Sequence, residues 1–509
     1  MAVEQQVGED EKRLAELGYK QELKRRMSWF SNFAVSFTII SILSGCITTY
    51  YLAMDNGGPI VMTTGWVVVG LFVLLVSMAM AEICSVYPTA GGLYYWAARL
   101  ATRNKRQWAW GVGWFNWLGE VAVTAAIDYG GAITMAAFLN LTTGFEVTPR
   151  RTFYLFVGII VVHGLLNTFG VNLVKLLSDI SAWWHVVGVL IILVVLAVTP
   201  DHHNSVGWTL FHVESGGGGW GSPIYAVLIG LLLAQYTFTG FDASAHIAEE
   251  THDAAKSAPR GIVTSVWVSL IAGFLLLFAV TSSIQDYAAT RGSETGLPPA
   301  QVFIDAAGDT TGKFLLFICL VAQMFCGMAS VTANSRMTYA FSRDNALPGS
   351  RLWKKVNPRT GTPTNSIWLC VAASLIITIP AAFNTVAFFA VTSIAVIGLY
   401  IAYATPTFLK LRNPDWVPGV WNLGRYSKIV GWTAVGWVIF IVILFMLPQY
   451  KPSAWWPVEW SLVNYAPIAV IAVALFAFGS WHLGGKKHFL LEHDAKASPP
   501  PEVVGEVAG

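Results

Sequence analysis

Apolar residues run along this chain in blocks of about twenty, separated by short polar joints, and a block of that length crosses a hydrocarbon core as one helix. The pattern predicts twelve such spans, roughly 33–54, 60–84, 110–140, 153–170, 176–198, 224–247, 261–284, 314–340, 365–383, 385–409, 429–447 and 465–482. A chain patterned in this way is expected to be an all-α integral membrane protein. Residues 1–29 read as a cytoplasmic N-terminal segment, 30–483 as a single twelve-helix domain, and 484–509 as a cytoplasmic disordered tail carrying Pro499, Pro500 and Pro501.

Composition agrees with that pattern. Of 509 residues, 55% are hydrophobic and 12% charged, more apolar surface than a soluble domain can bury. The formal charge of +2 gives no reason to expect a nucleic-acid partner, and the expected surroundings are the lipid bilayer. Cys46, Cys84, Cys319, Cys326 and Cys370 all fall in apolar blocks without a CxxC pair, and read as small hydrophobes. The leader from Glu4 to Arg26 is too polar for a signal peptide, so it is expected to stay uncleaved inside the cell.

Where the charges fall fixes a direction. With both termini in the cytoplasm, only Arg150, Arg151, Arg291, Lys313 and Lys451, of 31 Lys and Arg, lie outside. The positive-inside bias predicts this orientation, in a cell membrane crossed many times. Trp455, Trp456 and Trp460 then fit an interfacial aromatic belt on the outer side.

Several function classes drop out. There is no GxxxxGK[ST] loop and no soluble stretch able to hold a nucleotide-binding domain, so uphill transport would be driven by an ion or an exchanged solute. No nucleophile, base and oxyanion set converges, which argues against an enzyme, and no cofactor is implied. His246, Glu249, Glu250 and His252 resemble an HxxEH zinc motif with its second histidine one residue late; they are read as a solvated helix end, with no metal site.

Two interruptions stand out instead. Span 1 carries Ile42-Leu43-Ser44-Gly45-Cys46, and span 6, five spans later, carries Thr237-Phe238-Thr239-Gly240-Phe241-Asp242. Matched Gly interruptions of this kind mark transporter sites near mid-bilayer, where half-helix amides suit a carboxylate and free carbonyls an ammonium. Ionisable residues inside spans are the second sign, because each is costly there. They are Glu120 and Asp128 in span 3, His185 in span 5 and Asp242 in span 6, while Glu82 and Arg336 near span ends read as structural ion pairs or gate residues.

Specific motifs add a family resemblance. The run Ala81-Glu82-Ile83-Cys84-Ser85-Val86-Tyr87-Pro88-Thr89-Ala90-Gly91-Gly92 and the run Ala333-Asn334-Ser335-Arg336-Met337-Thr338-Tyr339-Ala340, together with Thr239-Gly240-Phe241-Asp242-Ala243-Ser244-Ala245-His246, resemble signatures of the amino acid-polyamine-organocation superfamily. The likeness is to its amino acid and choline transporter branch, which includes GABA permease-like proteins. The resemblance implies a five-plus-five inverted repeat of the leucine-transporter type, about 30–200 and 222–410, with two further helices over 428–483. It implies substrate contacts at Ser44, Gly45, Cys46, Glu120, Thr237, Phe238 and Gly240. His185 falls where some proton-coupled relatives carry a lysine, which makes it a proton-coupling candidate bracing span 1 against span 8, and Asp242 matches an acidic position beside the unwound segment. The function expected is secondary active transport of a small amino acid such as GABA, coupled to the proton. A choline or polyamine carrier using Trp183, Trp184, Phe238 and Phe241, an amino acid exchanger, and a nutrient receptor or channel are the alternatives.

Overall fold

A computed structural model describes residues 2–169, 171–214, 219, 221–384, 386–451 and 463–489. Those residues are helical, with two isolated bridges and no strand. Among the described residues, eleven helices are long and apolar enough to cross a membrane. The predicted sixth span falls short of that test because it is broken, into Pro223–Gly230, Leu232–Thr237 and Ala243–His246. The other predicted spans each fall on one helix, with bounds differing by up to seven residues, as where the predicted 261–284 meets Ala254–Ser282. The tail beyond 489 and Trp455, Trp456 and Trp460 lie outside the described residues.

Burial sorts the helices into a centre and a rim. In the tenth span, Ala387–Leu411, 94% of the most apolar window is buried, against 22% in the last, Ala466–His488. The tenth packs along the third, Lys105–Thr143, which also lies along the eighth, Asp309–Arg343; the second, Val61–Val86, packs along the seventh, Ala254–Ser282. Glycines permit these close approaches. A Cβ on Gly119 would stand 2.7 Å from the Leu399 amide, and one on Gly398 3.0 Å from the Gly119 backbone. On the rim, Leu71, Val187, Leu190, Ile443 and Phe478 are exposed, as expected where the solvent is hydrocarbon.

At the end bearing the amino-terminal arm the helices are tied by buried charge. Glu82, in the second span, meets Lys410 of the tenth and accepts from Ser427 Oγ at 2.7 Å, so this residue is a structural ion-pair partner. Arg336 Nε pairs with Glu250 at 2.7 Å, and both Arg343 guanidinium nitrogens grip Glu249 at 3.0 and 3.1 Å. The reading of Glu249 and Glu250 as a solvated helix end is therefore corrected. Both are fully buried, because two arginines one helical face apart neutralise them. The arm closes over this network: Tyr19 and Tyr94 both donate to Asp344 Oδ2, and the Arg26 and Met27 amides donate to the Glu250 carbonyl.

Candidate functional site

The first span breaks at Ser41, just ahead of the predicted run. Its φ of 37° is left-handed, a conformation costing a non-glycine residue roughly 1–2 kcal/mol. Helix Trp29–Ile40 ends there and Ile42–Thr48 begins, with the Ser41 amide donating to the Phe37 carbonyl at 3.0 Å. The Ser41 carbonyl accepts from the Ser44 and Gly45 amides, each at 2.8 Å, so those two amides, expected to face a carboxylate, are engaged within the turn itself.

Across from this break lies the second one. The sixth span stops at Thr237, passes through Gly240 at φ 88°, and resumes at Ala243. Positive φ at that value requires glycine, and so does the space, since a Cβ on Gly240 would collide with Ile39 Cγ2. Reciprocally, a Cβ on Gly45 would stand 2.7 Å from Thr237 Cγ2. The two broken helices therefore cross in direct contact. Polar side chains stitch them together: Ser36 Oγ donates to the Phe241 carbonyl at 3.0 Å and accepts from the Ser244 amide at 2.9 Å, and Asn32 Nδ2 donates to the Ser244 carbonyl. Such bonds hold helices together where lipid provides no hydrophobic drive. Asn32 and Ser36 were not singled out in the sequence, although two polar residues four apart in an apolar helix share a face and mark it.

Each expected site residue finds a distinct setting. Ser44, Gly45, Cys46 and Thr237 line the crossing and are buried. The Phe238 ring packs against Trp66 with centroids 4.2 Å apart and planes tilted by 32°, which anchors it to the second span, while its carbonyl accepts from Tyr400. His185 Nε2 lies 2.7 Å from Ser41 Oγ, and its Nδ1 donates to the Ser181 carbonyl at 2.8 Å. It thus ties the fifth span to the break, whereas the eighth reaches the first separately, Cys326 Sγ lying 3.2 Å from the Ile39 carbonyl. Trp183 is 63% exposed and turned away from the crossing.

Glu120 and Asp242 come together with a third group the sequence reading had set aside. His246 Nε2 stands 3.3 Å from Asp242 Oδ2, 3.8 Å from Glu120 Oε1 and 3.4 Å from Asn116 Nδ2. All are buried. His246 Nδ1 faces the Ala90 carbonyl at 3.0 Å, so that nitrogen carries the hydrogen and Nε2 points at the carboxylates. Tyr403 donates to Asp242 Oδ1 at 2.6 Å and accepts from the Gly240 amide at 3.4 Å, which couples the cluster to the break. The three titratable groups lie close enough to share a small cation.

Asp128 has an unforeseen partner. His163, of helix Pro149–Thr168, faces its Oδ1 at 2.9 Å. A lone histidine in an apolar span gave no sign of this pairing in the sequence.

Known proteins are similar to this chain in sequence. A chain 40% identical over 94% of this one and 95% of its own length is Amino-acid permease BAT1 of Arabidopsis thaliana. Its homolog in Oryza sativa is 39% identical over 94% of each chain. The GABA-specific permease of Saccharomyces cerevisiae is 31% identical, over 94% of this chain and 85% of that one. The amino acid permease profile matches residues 27–475, the region containing both breaks and every residue of the site. With its multi-span helical fold and two broken helices crossing at the centre, this chain belongs to the amino acid permease family.

Proposed function

We propose that this permease carries a small amino acid such as GABA across the cell membrane by alternating access, driven by the proton, with both termini in the cytoplasm. The observation that carries the reading is the crossing of the broken first and sixth spans, at Gly45 against Thr237 and Ile39 against Gly240. Helices interrupted at matched places bring backbone polar groups to membrane depth, where a zwitterion is recognised, and the Ser44 and Gly45 amides reach a carboxylate once the Ser41 turn that engages them opens. In this reading Ser44, Gly45, Cys46, Thr237 and Gly240 wall the site, and the five-plus-five repeat moves its halves around it. The name of the yeast relative supports GABA among the substrates to try first. The outward direction of Trp183 weakens a choline-type aromatic cage.

Proton coupling rests on the Glu120, Asp242 and His246 cluster, since Tyr403 links its charge state to the Gly240 turn. His185 bonds to neutral groups at the Ser41 turn and serves as a second candidate. Asp242→Asn is expected to abolish uptake driven by an imposed pH gradient while sparing exchange of internal for external substrate. Uptake by that variant that still follows the gradient would remove Asp242 from the coupling step. Substrate class is tested by ligand-induced thermal stabilisation of the purified protein with GABA, small α-amino acids, choline and polyamines. Stabilisation by choline or polyamines alone would overturn the amino acid reading.

A further inference from the structure

We infer that Asp128 is the counter-ion for the substrate's ammonium, and that His163 and Gly327 position it for that role. The inference rests on the reading of the chain as an amino acid carrier and names the group that selects for the amine. Asp128 sits fifteen residues before its helix ends at Thr143, about 20 Å along the helix from that end and so near mid-bilayer. It is buried, and its carboxylate is held from one side only. Oδ1 accepts from His163 Nδ1 at 2.9 Å, while Oδ2 has no hydrogen-bond partner among the described residues.

The His163 contact uses Oδ1 alone, which leaves Oδ2 unpartnered among the described residues at a depth where a lone polar atom is costly. From the eighth span the backbone itself abuts the pair, because a Cβ on Gly327 would collide with Asp128 Oδ1. The helix bearing His163 is tied to the eighth span, since Asn167 bonds both the His163 and Met328 carbonyls at 3.0 Å.

Position relative to the breaks completes the argument. Cys326, the neighbour of Gly327, contacts the Ile39 carbonyl at the first break. Gly130, two residues after Asp128, faces Thr48 at the end of the half-helix Ile42–Thr48, a Cβ there standing 3.2 Å from Thr48 Cγ2. Tyr129, the residue after Asp128, lines a cavity of about 380 Å³ at the end opposite the arm, with Tyr51, Phe388, Phe389 and Tyr450. Those aromatic faces suit the passage of an ammonium toward Asp128.

The test is competition against labelled GABA uptake by two half-substrates, butylamine and butyrate, in the wild type and in Asp128→Asn, which keeps the shape and removes the charge. The inference predicts that the variant loses about tenfold or more in butylamine inhibition, with butyrate inhibition nearly unchanged. Equal inhibition by butylamine in both proteins would make Asp128 a structural partner of His163 and overturn the inference. Loss of pH-gradient drive with butylamine inhibition intact would overturn it too, by making Asp128 a proton site. Should Asp128→Asn fail to assemble, Asp128→Glu keeps the charge and extends it by one methylene, and is expected to shift preference from GABA toward the shorter β-alanine; unchanged length preference would overturn the inference. Absence of any amino acid uptake by the wild-type chain would overturn the transport reading itself, a result distinguishable from the others.

Discussion

Gly240→Ala is expected to lower uptake by about a hundredfold, the loss that some 2.7 kcal/mol produces at the rate-limiting step. Two costs act at once. The φ of 88° disfavours any residue with a Cβ, and that Cβ would collide with Ile39 across the crossing. Removing the collision separates the two. In Gly240→Ala with Ile39→Ala, the Ile39 Cγ2 atom is gone, so part of the activity should return while the backbone cost remains. Substituted separately, Ile39→Ala should be mild, and the double-mutant cycle should show a coupling energy of the order of 1 kcal/mol or more. Additive losses would mean that the two broken helices do not depend on this contact. The check is initial-rate uptake in each of the four proteins, normalised to folded protein by size-exclusion chromatography.

The second large effect concerns stability. Arg336→Met leaves Glu250 buried and unpaired, a change that costs about 3–5 kcal/mol in comparable buried pairs. Adding Glu250→Gln removes the stranded charge, and the double variant should recover most of the lost thermal stability in detergent. Failure of the second substitution to recover any stability would show that Arg336 acts through its other contact, Ser335 Oγ at 3.1 Å. The same logic applies to Arg343 and Glu249, where Arg343 also lies over the Tyr19 ring at 4.0 Å and so fastens the arm.

The helices were legible from apolar block length alone, because a lipid-facing or bundle-facing helix must be apolar over its full crossing. The sixth span shows the limit of that signal. Its block is continuous in the sequence, yet Gly240 breaks the helix and leaves pieces too short to register as a crossing. The paired interruptions were legible, though the first was displaced: Ser41 turns the chain where Ser44 and Gly45 had the expected composition, and serine gives no advance sign of positive φ. Distance along the chain hid the rest. Glu250 and Arg336 are 86 residues apart, Glu249 and Arg343 94, so an acidic doublet that would be solvated in isolation is buried by partners no local pattern reveals. One cue was available. Arg336 and Arg343 are seven apart, two turns on one helix face, which matches a pair of adjacent carboxylates. His246 was dismissed with a failed zinc motif, and its closeness to Glu120 arises only from the packing of the third span against the sixth.

The most direct measurement is uptake of labelled GABA and a panel of amino acids into proteoliposomes containing the purified chain, with an imposed pH gradient as the sole driving force. The account predicts saturable accumulation that collapses when the gradient is dissipated and is lost in Gly240→Ala. Equal, gradient-independent accumulation in wild-type and protein-free vesicles for every amino acid tried would contradict it.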